Sequence, residues 1–133
     1  MKIGLVGLGR MGAAIAQRLR ANGFEVMAWD RRAEAAQAAA KDIAIAENPK
    51  AIAAACDIII SIITEDHGVR EVFNGPQGFL SADVKGKLFI DRVEGSDFHF
   101  HHFNDTKWVA ISIYYNRDIT YFRKWLATIF QTP

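Results

Sequence analysis

Three glycines near the N-terminus have the spacing of a turn that binds phosphate groups. Gly7, Gly9 and Gly12 form the pattern GxGxxG between a short strand-like run, Lys2–Val6, and an alanine-rich segment, Ala13–Ala21. In this pattern the first glycine permits a tight turn, the second lets the backbone approach a pyrophosphate, and the third lets the helix pack closely on the strand. The N–H groups of the first helical turn lack partners within the helix and lie at the positive end of its dipole. The spacing therefore predicts a pyrophosphate site at the start of a helix, without the need for a lysine.

An acidic residue, Asp30, lies at the end of the second predicted strand, the position at which dinucleotide-binding domains carry an aspartate or glutamate. Asp30 ends the predicted strand Phe24–Trp29, about twenty residues after the glycine turn, as the full fingerprint requires. A carboxylate at this place accepts hydrogen bonds from the ribose hydroxyls of NAD, and it would repel the additional phosphate of NADP by about 1 to 4 kcal/mol at contact range. Asp30 taken alone favours NAD.

Two arginines directly after Asp30 oppose that preference. Arg31 and Arg32 could form bidentate pairs with the 2′-phosphate of NADP or stack on adenine. Alternatively, one of them simply pairs on the surface with Asp30 or Glu34. The sequence predicts a dinucleotide and leaves the choice between NAD and NADP open.

Strand-like and helix-like segments alternate as far as Ile90. Asn22 and Gly23 are suited to end the first helix, while Asn48 and Pro49 are suited to begin the third. The predicted strands are Lys2–Val6, Phe24–Trp29, Ile58–Ile63 and Lys87–Ile90, with a brief apolar segment at Ile43–Ala46. The predicted helices are Ala13–Ala21, Ala33–Lys41, Pro49–Ala55 and Val69–Phe73. Such alternation predicts an α/β fold of the Rossmann type, a doubly wound parallel sheet in a single domain.

Four segments carry a more specific pattern: GLGRMG, AAIAQRL, WDRR and DIIISIITEDHGVREVFNGPQGFL. With these segments the chain resembles the β-hydroxyacid dehydrogenases, the family of 3-hydroxyisobutyrate and tartronate semialdehyde reductases, together with the cofactor domain of 6-phosphogluconate dehydrogenase and the imine reductases. The resemblance covers Met1–Asp91 and implies a nicotinamide cofactor, NADP or NAD. Family members often have a proline where this chain has Thr64. The resemblance and the motifs together give these candidate cofactor-binding residues: Gly7, Leu8, Gly9, Arg10, Met11, Gly12, Asp30, Arg31, Arg32, Ile63, Thr64 and Glu65.

Two departures from the family concern catalysis. After the fifth strand the family carries an aspartate followed within two residues by serine or threonine, which helps to hold the substrate carboxylate, whereas Asp91 is followed by Arg92 and Val93. Relatives also have a catalytic lysine at the start of a second, helical domain, and Lys107 lacks the pattern that surrounds it. We therefore assign no catalytic residue and expect the second domain to be absent, which would leave an oxidoreductase domain that is catalytically incomplete on its own. The alternative is a non-catalytic module that binds the cofactor or a partner.

The composition changes at Asp91 from alanine-rich to aromatic-rich. We divide the chain into an NAD(P)-binding Rossmann domain, residues 1–91, and an atypical tail, residues 92–133. The tail has patterns that allow one strand, Val109–Tyr115, and one helix, Ile119–Phe130. Two explanations fit the change: a truncated or frame-shifted gene, or a genuine short protein whose tail completes the sheet. The first is preferred because a native tail would keep the alanine-rich texture of the body.

His99, His101 and His102 in the tail are of a type that binds metals. They alternate with phenylalanines and have no nearby cysteine or acidic cluster, so an aromatic, partly exposed segment is the better interpretation and no metal site is predicted. Cys56, the single cysteine, lies beside an apolar run and is predicted to be a buried structural residue.

The charge and hydropathy patterns exclude several classes of partner. A net formal charge of +1 gives no basic field for nucleic acid. The apolar run Ile58–Ile63 is far short of the roughly 20 residues that span a bilayer, and the N-terminus has no signal-peptide arrangement. We expect a cytoplasmic protein with neither nucleic acid nor a membrane as partner. Exposed aromatic residues often mark interfaces, so a homo-oligomer is a further expectation if the tail is not packed on the sheet.

Overall fold

The computed structural model describes residues 1–63 and 66–92 as alternating strands and helices. The strands are β1 (Lys2–Val6), β2 (Glu25–Trp29), β3 (Ala44–Ile45), β4 (Ile58–Ile62) and β5 (Leu88–Arg92). The helices are α1 (Arg10–Ala21), α2 (Ala33–Ala40), α3 (Pro49–Ala55) and α4 (Asp66–Asn74), followed by a 3₁₀ turn at Phe79–Ser81. These elements confirm the predicted α/β alternation.

The strands form one parallel sheet in the order β3-β2-β1-β4-β5. The chain winds from β1 to one edge of the sheet, then returns to the other side of β1 and continues to the opposite edge, so the prediction of a doubly wound Rossmann-type sheet is confirmed. At the carboxyl end of β1, Val6 lies opposite Trp29 of β2 and Ser61 of β4. The winding reverses at this point, and open α/β sheets bind their ligands outside such a switch point.

One face of the sheet is packed by aromatic rings. Val6 of β1 and Ile52 of α3 belong to a buried cluster that also contains Phe79 and Phe89. Phe73 lies edge-on to Phe79 with ring centroids 4.9 Å apart, and Phe79 and Phe89 are 5.1 Å apart. These rings join the 3₁₀ turn and α4 to β5 on that face.

The opposite face of the sheet holds α1 in place. Leu5 of β1 and Val26 and Ala28 of β2 form a buried cluster with Ala16 of α1 and with Leu8 from the glycine turn. Successive side chains of a strand point to opposite faces, which is why Leu5 and Val6 belong to different clusters. This packing places the N-terminus of α1 beside the carboxyl end of β1.

Helix α1 begins at Arg10, not at Ala13 as predicted, so that boundary was wrong. Gly9 is the N-cap residue, with an extended backbone at φ −67° and ψ −168°, and Gly12 lies inside the first helical turn. Gly12, the third glycine of the pattern, is therefore part of the helix and not of the turn. Its lack of a side chain allows the helix to pack closely on the turn.

The C-terminus of α1 is closed by Asn22 and Gly23, as predicted. Gly23 has φ of +84°, its N–H donates to the carbonyl of Arg20 at 2.9 Å, and the N–H of Phe24 donates to Leu19 at 3.1 Å. This is the pattern of a Schellman motif. Phe24 therefore belongs to the helix cap, and β2 begins one position later than predicted, at Glu25.

Cys56 is fully buried, and burial raises the pKa of its thiol to about 11. A thiol with this pKa stays protonated near neutral pH, so the prediction of a buried structural cysteine is confirmed.

The strand and helix predicted in the tail, the histidines His99, His101 and His102, and Thr64 and Glu65 all lie outside the described residues. In the described ranges, no helix is long and apolar enough to cross a membrane. Within the same ranges, no group of three or more His, Cys, Asp or Glu side chains is placed to hold a metal ion.

Candidate dinucleotide-binding site

The glycine turn is fixed between the ends of two strands. Gly7 leaves β1 with φ of +100°, a conformation that residues with a side chain rarely adopt. Its N–H donates to the carbonyl of Trp29, at the end of β2, at 2.9 Å. A Cβ on Gly7 would lie 2.2 Å from the carbonyl oxygen of Ile62, at the end of β4. The turn therefore contacts both strands that flank β1, and only glycine fits there.

Gly9 and Gly12 have opposite surroundings. A Cβ on Gly12 would lie 1.8 Å from the carbonyl oxygen of Gly7, so α1 packs directly on the turn. Among the described residues, a Cβ on Gly9 would meet nothing closer than Nη2 of Arg32, at 4.0 Å. In this part of the chain the middle glycine thus leaves open space in front of the helix, where a bound group can approach the backbone.

The start of α1 carries no negative charge from its own residues. Gly9, as the N-cap residue, has no side chain that could accept a hydrogen bond from the first turn, and the first turn contains no acidic residue. The first helical residue is Arg10. The first turn of α1 therefore supplies no negative charge of its own at the space beside Gly9, and this arrangement fits an anion such as a pyrophosphate.

Asp30 links the glycine turn to the residues after β2. Its Oδ2 accepts a hydrogen bond from the backbone N–H of Leu8 at 2.6 Å and from Nη2 of Arg32 at 3.2 Å. Its Oδ1 accepts from the backbone N–H of Arg32 at 2.7 Å and from Nε of Arg32 at 3.1 Å. The sequence left open whether Arg31 or Arg32 pairs with an acidic residue on the surface. In the structure, Arg32 pairs with Asp30.

The surroundings of Asp30 keep it ionised. Burial by itself raises the pKa of this carboxyl, but the hydrogen bonds from Arg32 and Leu8 outweigh burial and hold the pKa below its ordinary value. The same pairing raises the pKa of the Arg32 guanidinium. Asp30 and Arg32 therefore form an ion pair at the mouth of the site.

Residues 2–102 match the family described as the NAD binding domain of 6-phosphogluconate dehydrogenase. The chain belongs to this family. The resemblance seen in the sequence is thereby confirmed, and so is the prediction that the cofactor is a nicotinamide dinucleotide, NADP or NAD.

Two relatives match this chain over about 90 residues. The chain is 39% identical to 2-(hydroxymethyl)glutarate dehydrogenase of Eubacterium barkeri over 92 residues, which cover 68% of this chain and 31% of that protein. It is 31% identical to the cytokine-like nuclear factor N-PAC of Homo sapiens over 91 residues, 68% of this chain and 16% of that protein. The chain thus spans less than a third of the length of either relative.

Solved structures share the fold of this NAD-binding domain. An imine reductase from Myxococcus stipitatus, in complex with NADP+, matches with a TM-score of 0.65 at 21% identity and covers 72% of this chain and 33% of that one. An imine reductase from Streptomyces aurantiacus matches with a TM-score of 0.62 at 25% identity, over 72% and 33% of the two chains. Both structures match over the same share of this chain, and each extends well beyond it.

The remaining predicted site residues take different positions in this NAD-binding domain. The side chain of Leu8 is buried in the core, so only its backbone belongs to the site. Arg10 and Arg31 are exposed, and Met11 is half-buried in the first turn of α1. Ile63 follows β4 and packs partly buried against the aromatic cluster.

Two parts of the site were missed by sequence reasoning. The carbonyl of Ile62 limits the space at Gly7, and Asp30 holds the backbone of Leu8. No local sequence signal reports either contact, because both depend on strands that are far apart in the chain and adjacent in the sheet.

Proposed function

We propose that this domain binds a nicotinamide dinucleotide with its pyrophosphate against the Gly7–Gly12 turn. The observation that carries the proposal is the space that the described residues leave open at Gly9, at the start of a helix whose first turn has no acidic residue. An anion placed there meets the backbone N–H groups and the positive end of the helix dipole. The proposed function therefore needs no lysine in the phosphate site.

The rest of the dinucleotide extends along the ends of three neighbouring strands. Asp30, Arg31 and Arg32 follow β2 and are proposed to stand beside the adenosine ribose. The segment of Ile63, Thr64 and Glu65 follows β4 and is proposed to flank the path to the nicotinamide. Both segments come directly after strands that flank β1, at the switch point of the sheet, which supports this placement.

The reaction proposed for the whole protein is a hydride transfer between the cofactor and the carbonyl or hydroxyl carbon of a small β-hydroxyacid. The dehydrogenase relative from Eubacterium barkeri supports this substrate class. The nicotinamide supplies the hydride chemistry when bound, and the protein supplies binding and orientation. Asp91 is not followed by the serine or threonine that helps relatives to hold the substrate carboxylate, so this domain is proposed to be catalytically incomplete on its own.

A second candidate function is a non-catalytic module that binds the dinucleotide or a partner. The specific observation in its favour is that a similar domain forms part of N-PAC, which is described as a cytokine-like nuclear factor. The two candidates share cofactor binding and differ in turnover.

Cofactor binding is tested by titrating the full chain with NADPH and with NADH while following nicotinamide fluorescence. We expect micromolar binding of at least one of them, and its loss in Gly9→Asp, because that side chain would place a negative charge at the start of α1. Gln17→Asp is the matched control, since it adds the same charge to an exposed position about two turns further along the same helix. Absence of binding by a folded wild-type protein would refute the proposal.

Turnover by the chain alone would exclude the non-catalytic module. Because this domain is proposed to be catalytically incomplete, we expect it to bind NADPH or NADH without oxidising it in the presence of a small semialdehyde, the carbonyl partner of a β-hydroxyacid. Oxidation would contradict both the non-catalytic module and the proposed incompleteness. The measurement is the decrease of nicotinamide absorbance at saturating cofactor, with the Gly9→Asp variant as the blank.

The cellular setting is also a proposal. We propose a cytoplasmic location, self-association, and no nucleic acid or membrane among the partners, with the net formal charge of +1 and the aromatic tail as support. Light scattering over a concentration series tests the self-association, which a constant monomer mass would contradict.

A further inference from the structure

The first two backbone N–H groups of the glycine turn hold the turn to the end of β2. The N–H of Gly7 donates to the carbonyl of Trp29 at 2.9 Å. The N–H of Leu8 donates to Oδ2 of Asp30 at 2.6 Å. Both groups face β2, so an anion at the turn is left to N–H groups that come later, at the start of α1.

The hydrogen bond from Leu8 to Asp30 fixes the peptide plane between the first two residues of the turn. Because a peptide unit is planar and trans, its C=O and its N–H point in opposite directions. The N–H of Leu8 faces Asp30, and the carbonyl oxygen of Gly7, at the other side of the same plane, lies against Gly12. Asp30 thus fixes the orientation of a carbonyl on which the first turn of α1 packs.

The glycine turn needs such a contact because its backbone is intrinsically free. Leu8 has a glycine on either side, and glycine has more backbone conformations to lose than any other residue. The buried side chain of Leu8 fixes the place of this residue in the core, and the bond to Asp30 fixes the direction of its N–H. Order that the protein supplies in advance does not have to be supplied by the ligand when it binds.

The Asp30 carboxylate is itself held in place by Arg32. Its Oδ1 accepts from the backbone N–H of Arg32 at 2.7 Å and from Nε at 3.1 Å, and its Oδ2 also accepts from Nη2 at 3.2 Å. The side chain of Asp30 is only 7% exposed. A nearly buried carboxylate with these donors presents Oδ2 to Leu8 at a defined place, so it can order the turn before a ligand arrives.

We propose that Asp30 is a positioning residue of the phosphate site. By accepting the N–H of Leu8 it orders the glycine turn, and this order increases the affinity of the site for the pyrophosphate group of the dinucleotide. The role requires no contact between Asp30 and the ligand. The inference rests on the proposed dinucleotide binding and deepens it, because it assigns part of the affinity to a residue outside the GxGxxG pattern.

Inorganic pyrophosphate is the probe, because it has no ribose that Asp30 could contact. The full chain is loaded with NADPH or NADH, whichever it binds more tightly, and displacement by pyrophosphate is followed through nicotinamide fluorescence. The variants Asp30→Ala and Asp30→Asn lack the same charge, but only the asparagine keeps an oxygen that can accept from Leu8. We expect Asp30→Asn to bind pyrophosphate at least about fivefold more tightly than Asp30→Ala, as one hydrogen bond would produce.

The direction of the change in Asp30→Ala is a second readout. Removal of a carboxylate near an anion site leaves Arg32 unpaired, and by charge alone this would strengthen the binding of pyrophosphate. Loss of order in the turn weakens that binding. We expect Asp30→Ala to bind pyrophosphate more weakly than the wild type does, despite the loss of a negative charge.

Asp57 provides the matched control at the opposite end of β1. Its Oδ2 accepts from the backbone N–H of Lys2 at 2.8 Å, so it makes the same kind of hydrogen bond at the start of β1, away from the glycine turn. Asp57→Ala and Asp57→Asn should both bind pyrophosphate as the wild type does. A merely structural role of Asp30 would likewise lower stability in urea and leave the affinity of the folded protein unchanged.

Amide hydrogen exchange measured by NMR reports the order of the turn without a ligand. Relative to the other amides of β1 and the turn, the N–H of Leu8 should exchange faster in Asp30→Ala than in the wild type. In Asp57→Ala its relative rate should not change.

The outcomes separate this inference from the proposed function. Equal pyrophosphate affinities of Asp30→Ala and Asp30→Asn, or wild-type affinity in Asp30→Ala, would overturn the inference and leave dinucleotide binding intact. Dinucleotide binding that pyrophosphate does not displace would overturn the placement of the pyrophosphate at the turn, and the inference with it. Binding of neither dinucleotide by a wild-type protein whose circular dichroism shows it to be folded would overturn the proposed function as a whole.

Discussion

Gly9 and Gly12 belong to the same pattern, yet a methyl group has different consequences at the two positions. At Gly12 it would collide with the backbone of Gly7, whereas at Gly9 it would enter a space that the described residues leave open. The absence of a side chain is therefore needed for packing at Gly12 and for access to the backbone at Gly9. The spacing GxGxxG alone does not distinguish these two requirements.

The alanine variants of these two glycines should separate stability from binding. Gly12→Ala should lower the free energy of unfolding by about 2 to 3 kcal/mol, since overpacking a fixed backbone contact costs this much. Gly9→Ala should lower it by less than about 1 kcal/mol while weakening dinucleotide binding, because the methyl group occupies the space for the pyrophosphate. Urea unfolding and fluorescence titration measure the two effects, and equal losses of stability would contradict the assignment.

Asp30 makes contacts that its residue type alone did not predict. Its position after β2 predicts an acceptor for ribose, and in the structure its carboxylate accepts hydrogen bonds from Leu8 and Arg32. The residue type and place were predictable from the sequence. The choice of partner was not, because Arg31 and Arg32 are adjacent and chemically identical, and only the path of the backbone after β2 decides which one reaches the carboxylate.

At the scale of elements, the boundaries follow from capping chemistry. The C-terminus of α1 and the N-terminus of α3 were predicted well because Asn22, Gly23, Asn48 and Pro49 act within a few residues of their own position. The N-terminus of α1 was predicted too late, because glycine is unfavourable in a helix by propensity, and the contact of Gly12 with the turn overrides that preference.

The cap of α3 gives a prediction at this scale. The side chain of Asn48 accepts a hydrogen bond from the N–H of Ala51 at 2.8 Å, and Pro49 occupies the first helical position. Asn48→Ala should lower the free energy of unfolding by about 1 kcal/mol, whereas Asn48→Ser should retain most of the stability because serine caps nearly as well. Urea unfolding of the three proteins measures this, and equal losses in both variants would show that the cap is not the cause.

At the scale of the whole molecule, the sheet depends on a core that joins distant parts of the chain. Phe79 is fully buried between Phe73 of α4 and Phe89 of β5. Phe79→Ala should lower the free energy of unfolding by about 3 to 5 kcal/mol through lost burial and the cavity left behind. Phe79→Leu should cost clearly less, because it leaves a smaller cavity, and similar losses in the two variants in urea unfolding would argue against tight packing at this site.

The sequence by itself determined the fold class and the place of the phosphate site, because strand and helix periods, glycine spacing and caps act over short distances along the chain. The tertiary structure decided the contacts of the site. β1 pairs in register with β2, so that Val6 lies opposite Trp29, and this register brings the backbone of Leu8 to Asp30 and leaves Arg32 to close the pair. A long-range register and a choice between two identical side chains carry no signal in the local sequence, since both arise only when the sheet assembles.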